Sequence, residues 1–358
     1  LEKYVYGRMP GRPLRTGFDV ESQVTDYLDG KATRKWVRID FGPAGASPIH
    51  LLLVVPNGAS GSSPVILGLN FNGTHTVVPD TDIPLTTHWV RALKKGGPNE
   101  ATEEGRGTSA SRWPIAEAIE RGYAVATFYQ GDIDPDNKDL TNGIQSHYYR
   151  KGQTQPDPEE WGTIAAWAWG LHRAVDYLVT DPDIDPNKVV VMGHSRNGKT
   201  ALVAGAFDPR IALTISNQSG CGGAAISRRR KGETVAVINR NFPHWFCGNF
   251  GGFDDRENFL PLDQHFLMAA IAPRPVLVCS AKDDGWADPL GEFEALQGAE
   301  PVYDLLGVDG LGVEEQPELN RLVGQRLGYH IRPGKHGVGS ADWKVFMDFA
   351  DEQWSSKP

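Results

Sequence analysis

Short apolar, β-branched runs recur along this chain, each separated from the next by enough residues for a helix. Pro64 to Phe71, Tyr123 to Phe128, Val189 to Met192, Ile211 to Ile215 and Pro275 to Cys279 lack polar alternation and read as strands buried on both faces. Their alternation with helical segments predicts an α/β fold, a mostly parallel central sheet with helices on both faces. Ahead of the Val189 run, Asp157 is placed to cap a helix, Pro158 suits its first turn and Glu160 completes a capping box. Ile164, Trp167, Ala168, Leu171, Val175 and Leu178 then recur at the helical period, and Trp343, Phe346, Met347, Ala350 and Trp354 do so near the C-terminus. Within the first sixty residues, Lys35 to Phe41 and Ile49 to Val55 alternate like antiparallel strands that extend one edge of the sheet. Residues 72–110, 222–265 and 285–325 resist both periods, being rich in Gly, Pro and polar side chains. Each follows the carboxyl end of a strand, so they are expected to be long loops that shape a cleft.

Composition narrows the class further. The 358 residues, 40% of them hydrophobic, suffice for one large catalytic domain over 1–358. No apolar stretch reaches the roughly eighteen residues of a membrane span, so no membrane partner is expected. A net charge of -9 argues against a general nucleic-acid binder, which carries a basic excess. The one basic run, Arg228-Arg229-Arg230-Lys231, reads as a solvated face rather than a polyanion site. Of the three cysteines, Cys279 lies inside an apolar run and reads as a buried thiol, while pairing of Cys221 with Cys247 stays open. None shows metal-ligand spacing. The chain opens at Leu1-Glu2-Lys3 with no charged and apolar leader, as a cytosolic protein or a mature form does.

The chemistry concentrates at Gly193-His194-Ser195-Arg196-Asn197-Gly198-Lys199, between the strand Val189–Met192 and the helix-forming Thr200 to Ala204. A strand, a Gly-x-Ser turn and a helix describe a nucleophile elbow, which places Ser195 on a strained corner in an α/β-hydrolase fold. Asn197 stands where the second glycine of that motif is usual, and Gly198 follows it. A serine hydroxyl needs a histidine base, and the base needs a carboxylate to hold its tautomer. In this fold the acid and then the histidine follow the serine. His336, in a Gly-rich loop just before the last helix, is the candidate base, ahead of His75, His88, His172 and His265. His194 is expected to point away from the cleft as a packing residue, and His244 to be a buried core histidine. Three aspartates follow the Pro275 strand. Asp284 is the candidate acid, Asp283 is expected to point oppositely, and Asp288 before Pro289 reads as a helix cap. The N–H of Arg196 is the expected oxyanion donor, a contact worth roughly 3 kcal/mol, and the Arg196 and Lys199 side chains put two positive charges near Ser195.

The Gly193 to Lys199 string resembles the Gly-x-Ser-Arg-x-Gly-Lys signature of the glucuronoyl esterases, carbohydrate esterase family 15. Ser219 to Gly223, Ile238-Asn239, Asn241 to Phe246 and Trp286 to Pro289 resemble stretches of its bacterial members. The likeness covers roughly residues 60–350. It implies an enzyme without cofactor or metal that cleaves esters between 4-O-methyl-glucuronic acid on glucuronoxylan and lignin alcohols. By resemblance Ser195 is nucleophile, His336 base and Arg196 an oxyanion and substrate contact, while Lys199, Glu233 and Trp286 contact the glucuronate. The family implies a secreted or periplasmic enzyme, a mature start at Leu1, and a glucuronoxylan or lignin-carbohydrate ester as partner; a monomer is expected. Gln218 departs from the family, since many members carry a glutamate there; the family's other acid position matches Asp284. The rival readings are an acetyl or feruloyl esterase on hemicellulose and a catalytically silent carbohydrate-binding protein.

Overall fold

A computed structural model describes residues 1–58 and 61–355, which hold nine strands and seven α-helices. In chain order they are β1 Thr16–Tyr27, β2 Ala32–Phe41, β3 Ile49–Pro56, β4 Ser63–Asn70, α1 Ile115–Glu120, β5 Ala124–Tyr129, α2 Thr163–Leu178 and β6 Ile184–His194. There follow α3 Arg196–Phe207, β7 Leu213–Asn217, α4 Val235–Asn241, α5 His265–Ala269, β8 Val276–Ala281, α6 Pro289–Leu305, β9 Leu327–Arg332 and α7 Ser340–Ser355. The chain forms two compact units, one of Met9–Pro156 with Trp169–Val189, the other of Leu1–Arg8, Asp157–Ala168 and Val190–Pro358. Residues of α2 and of β6 belong to both.

In the first unit the strand order is β1-β2-β3-β5-β4. The neighbours β1, β2, β3 and β5 are antiparallel, and β4 joins β5 in parallel from Val65↔Ala124 to Asn70↔Tyr129. Leu28, Asp29 and Gly30 all take positive φ in the turn between β1 and β2. The expected alternation breaks at β2, where Arg34, Lys35, Trp36 and Val37 are all buried. Two of these are cations with anionic partners. Lys35 Nζ lies 2.8 Å from Asp181 and 2.7 Å from Asp183, and Tyr177 donates to Asp181 at 2.5 Å. Arg34 meets Asp80 and Asp82.

In the second unit β6-β7-β8-β9 are all parallel. Helix α3 lies close on β7, since a Cβ on Gly205 would stand 2.1 Å from Thr214 Oγ1. The helix expected from Asp157 begins instead at Thr163. Asp157 and Glu160 do close a capping turn, with Asp157 N donating to Glu160 Oε2 at 2.7 Å and Glu160 N to the Asp157 carbonyl at 2.9 Å. The backbone then pairs with Arg8 at Glu160 before turning helical. Residues 285–325 are not loop throughout, because α6 runs through Pro289–Leu305 despite Gly291, Gly298 and Pro301. Asp288 precedes α6 with φ 53 and makes no side-chain cap; its carboxylate pairs with Arg229 at 2.7 Å. The basic run is likewise absorbed, as Arg228 meets Asp263 and Arg230 meets Asp255 and Glu257. Cys221, Cys247 and Cys279 are all free and buried, so Cys221 and Cys247 do not pair.

Helix α6 also sends Glu292 into the sheet's carboxyl end, fully buried. Its Oε1 accepts the N–H groups of Ser219 at 2.7 Å and Gly220 at 3.0 Å, and its Oε2 accepts the Ser280 hydroxyl at 2.6 Å. Burial pushes this carboxyl up to about 7, against the pull of those hydrogen bonds.

Two measurements follow from these buried charges. Lys35→Met strips Asp181 of its countercharge and should cost about 3–5 kcal/mol in urea unfolding, with part of the loss recovered by adding Asp181→Asn. For Glu292, both folded and unfolded chains hold the proton below the ordinary value of 4.5, and only the folded chain holds it between 4.5 and about 7. Rising pH therefore removes stability across that window, by about 3 kcal/mol in full. Glu292→Gln keeps an acceptor for both N–H groups and does not titrate. Its unfolding free energy relative to wild type should climb from pH 4.5 to 7, and parallel profiles for the two proteins would reject the assignment.

Candidate active site

Strand β6 ends at His194, and the chain turns into α3 through Ser195, whose φ of 60° and ψ of -128° fall outside the regions open to a relaxed serine. Two close approaches hold the corner. A Cβ on Gly193 would stand 1.8 Å from the Asn197 carbonyl oxygen, and one on Gly198 would meet Ser219 Cβ at 3.0 Å and Ser216 Oγ at 3.1 Å. The glycine after Asn197, not position 197 itself, is thus the one pressed against β7. Ser195 N donates to the Asn217 carbonyl at 2.9 Å, which carries the parallel ladder one residue past the strand. The Ser195 carbonyl accepts the N–H of Gly198 at 2.8 Å and closes the first turn of α3, which begins at Arg196.

Parallel register brings the other side chains to the same end. Beyond β9, His336 Nδ1 lies 2.6 Å from Asp284 Oδ2, and the Asp284 side chain is buried. Asp284 sits in the turn after β8, where its N–H donates to the Ala281 carbonyl, whereas its neighbour Asp283 is exposed. With Nδ1 engaged by the carboxylate, the imidazole's free nitrogen is Nε2. Ser195, Arg196, Lys199, Gln218, Glu233, Asp284, Trp286 and His336 line one cleft of 410 Å³, together with Phe242 and Trp245. The structure therefore gathers the nucleophile, base, acid and substrate residues named from sequence at one place. His75, His88, His172 and His265 do not line it.

The cations here have defined surroundings. The Arg196 guanidinium lies over Trp245 at 4.9 Å and Phe242 at 5.5 Å, two rings that stack on each other 3.7 Å apart. Lys199 is buried, with Nζ 2.5 Å from the Ser219 carbonyl, 2.6 Å from the Cys221 carbonyl and 3.6 Å from Glu233. Glu233 is buried too, and its N–H donates to the Trp286 carbonyl at 2.9 Å. Trp286 is half exposed where it lines the cleft, so its ring is open to a flat ligand.

His194 does not line the cleft, as expected of a packing residue, although it packs on the candidate base. It is buried with its ring centroid 4.4 Å from that of His336, and its Nδ1 is 3.1 Å from the Asn217 amide nitrogen. Sequence reasoning also passed over Asn217 and Glu292, and left Gln218 without a role. All three are buried polar residues whose partners lie far away in the chain, and no local spacing marks them. His244 is buried, as a core histidine, with its carbonyl accepting the N–H of Thr163 at 2.9 Å.

Residues 109–307 match the family described as glucuronyl esterase, fungi. Among solved structures, a promiscuous CE15 esterase from a marine bacterial metagenome is 54% identical, with a TM-score of 0.91 over 98% of this chain and 88% of that one. A glucuronoyl esterase from Solibacter usitatus is 45% identical, with a TM-score of 0.93 over 99% of this chain and 90% of that one. A 4-O-methyl-glucuronoyl methylesterase from Wolfiporia cocos is 34% identical over 217 residues, which are 56% of this chain and 52% of that protein. The two solved structures match over nearly the whole α/β-hydrolase fold. The chain belongs to the glucuronoyl esterases of carbohydrate esterase family 15.

Proposed function

We propose that this protein is a serine esterase, acting as one catalytic domain over 1–358, that hydrolyses esters between 4-O-methyl-glucuronic acid of glucuronoxylan and lignin alcohols. The observation that carries the reading is the 2.6 Å contact of His336 with buried Asp284 in the cleft that Ser195 lines. His336 Nε2 takes the proton of the Ser195 hydroxyl as Oγ attacks the ester carbonyl. Asp284 holds the proton on Nδ1 and steadies the imidazolium that forms. The imidazolium then gives its proton to the departing alcohol, and water attacks the acyl-serine to release the free uronate.

Charge at Arg196 serves the transition state more than the ground state. An ester carbonyl is neutral, so the guanidinium and the N–H groups at the start of α3 gain most as the oxyanion develops. The rings of Trp245 and Phe242 keep that guanidinium in place. Trp286 offers a plane for the pyranose, while Lys199 and Glu233 present a donor and an acceptor to its hydroxyls. Such an ester belongs to plant cell walls, so the enzyme works outside the cytoplasm. No helix among the described residues is long and apolar enough to cross a membrane.

The test compares benzyl glucuronate with acetylated xylan. Hydrolysis should be confined to the glucuronate ester, and preference for the acetate would move the protein to the hemicellulose acetyl esterases. Ser195→Ala should abolish turnover, and Asp284→Asn, which favours the wrong tautomer of His336, should lower kcat by about ten-thousand-fold. Wild-type turnover in Asp284→Asn would remove that residue from the mechanism.

A further inference from the structure

The surroundings of Gln218, which the sequence left without a role, give its amide a definite task. Gln218 follows β7 directly, is buried, and has a φ of 51°. Its backbone N–H donates to the Cys279 carbonyl at 2.7 Å, so the residue is anchored to β8 while its side chain turns toward β9. There Oε1 accepts the N–H of Gly337 at 2.8 Å. The carbonyl of the same Gly337 accepts from Arg332 Nη2 at 2.9 Å and from Asn217 Nδ2 at 3.3 Å. Arg332 is in turn held by Asp342 at 2.8 Å. The backbone immediately after His336 is thus gripped on both polar sides, in a stretch between β9 and α7 that has no regular secondary structure to hold it.

We propose that Gln218 is a positioning residue of the esterase: by accepting the Gly337 N–H it fixes the loop that aims His336 at Ser195. The inference rests on His336 being the base. It explains why an amide serves here. A carboxylate could accept the same N–H, but the Gln218 Nε2 also donates to Asn217 Oδ1 at 3.3 Å, which a carboxylate cannot do. The amide also adds no charge to a loop already faced by Asp284 from the turn after β8, His194 from β6, Arg332 from β9, Asp342 from α7 and, one residue along the Gln218 segment, Glu292 from α6. Lys335 adds a further charge from the loop itself.

The experiment compares Gln218→Met, which keeps the side chain's length and removes the acceptor, with Gln218→Glu, which restores it, and with His336→Ala, all on benzyl glucuronate. Gln218→Met should lower kcat by about 10- to 100-fold with KM within about threefold. Gln218→Glu should recover most of that kcat, and its kcat/KM profile should have the acid limb moved to higher pH by about half a unit or more, because a carboxylate beside the imidazole favours its charged form. That shift is read on Gln218→Glu alone and does not depend on the Met variant folding. Wild-type kcat in Gln218→Met, or an acid limb in Gln218→Glu that coincides with wild type, overturns the proposal while His336→Ala is inactive. An active His336→Ala overturns the assignment of the base, and the positioning role with it.

Discussion

One row of parallel register governs the site. His194, Asn217, Cys279 and His330 pair successively across β6, β7, β8 and β9, so they stand at one level of the sheet. The functional groups lie a few residues beyond that row: Ser195 and Gln218 one step on, Asp284 five, His336 six. Parallel strands with all their carboxyl ends at one edge make this convergence possible, because each return crossing delivers its next turn to the same side. A slip of one residue at β7 would exchange the faces of Asn217 and Gln218 and break the ladder bond to Ser195.

Above that row the turn Asn217–Cys221 acts as a hub of hydrogen bonds. Two of its N–H groups go to Glu292, two of its carbonyls to Lys199, and the side chains of Asn217 and Gln218 to Gly337. Such a network fixes geometry only when it is fully satisfied, since each orphaned member in a low-dielectric interior costs about 1–3 kcal/mol. Lys199 shows the trade-off. Its ammonium is offset by two carbonyls and Glu233, so it holds a set position in the cleft and is not a free charge. Arg196 is held in the same cleft over the faces of Trp245 and Phe242.

The five apolar runs, the strand-to-helix turn at Ser195 and the buried stripes of α2 and α7 were legible because each is a local signal, a period or a spacing. What escaped was set by contacts distant in sequence. Strand β1 is exposed on both faces along most of its length, so it carries no hydrophobic period to read; pairing with β2 alone makes it a strand. Helix α6 was expected only from Pro289 to Leu296 and runs on to Leu305 past Gly298 and Pro301. Its glycines are packing devices, as a Cβ on Gly291 would stand 2.3 Å from Asp288 and one on Gly298 2.8 Å from His265. Lys35 broke the alternation of β2 because its carboxylate partners come from residues 181 and 183.

Gln218 and the displaced glycine of the elbow follow the same logic. Motif positions describe what a family usually needs, whereas the structure shows which atom each need is met by. At the elbow the close approach to β7 occurs at Gly198, so a side chain at 197 is accommodated. At the acid position the need is for a neutral acceptor of one N–H and a donor to Asn217, once Asp284 has taken the imidazole. With Glu292 already buried one residue further along, a second carboxylate at 218 would crowd anions into a dry turn, and like charges at such range force one of them to hold its proton. The amide avoids that conflict, so Gln218 is consistent with Asp284 holding the ring and with a single carboxylate doing so.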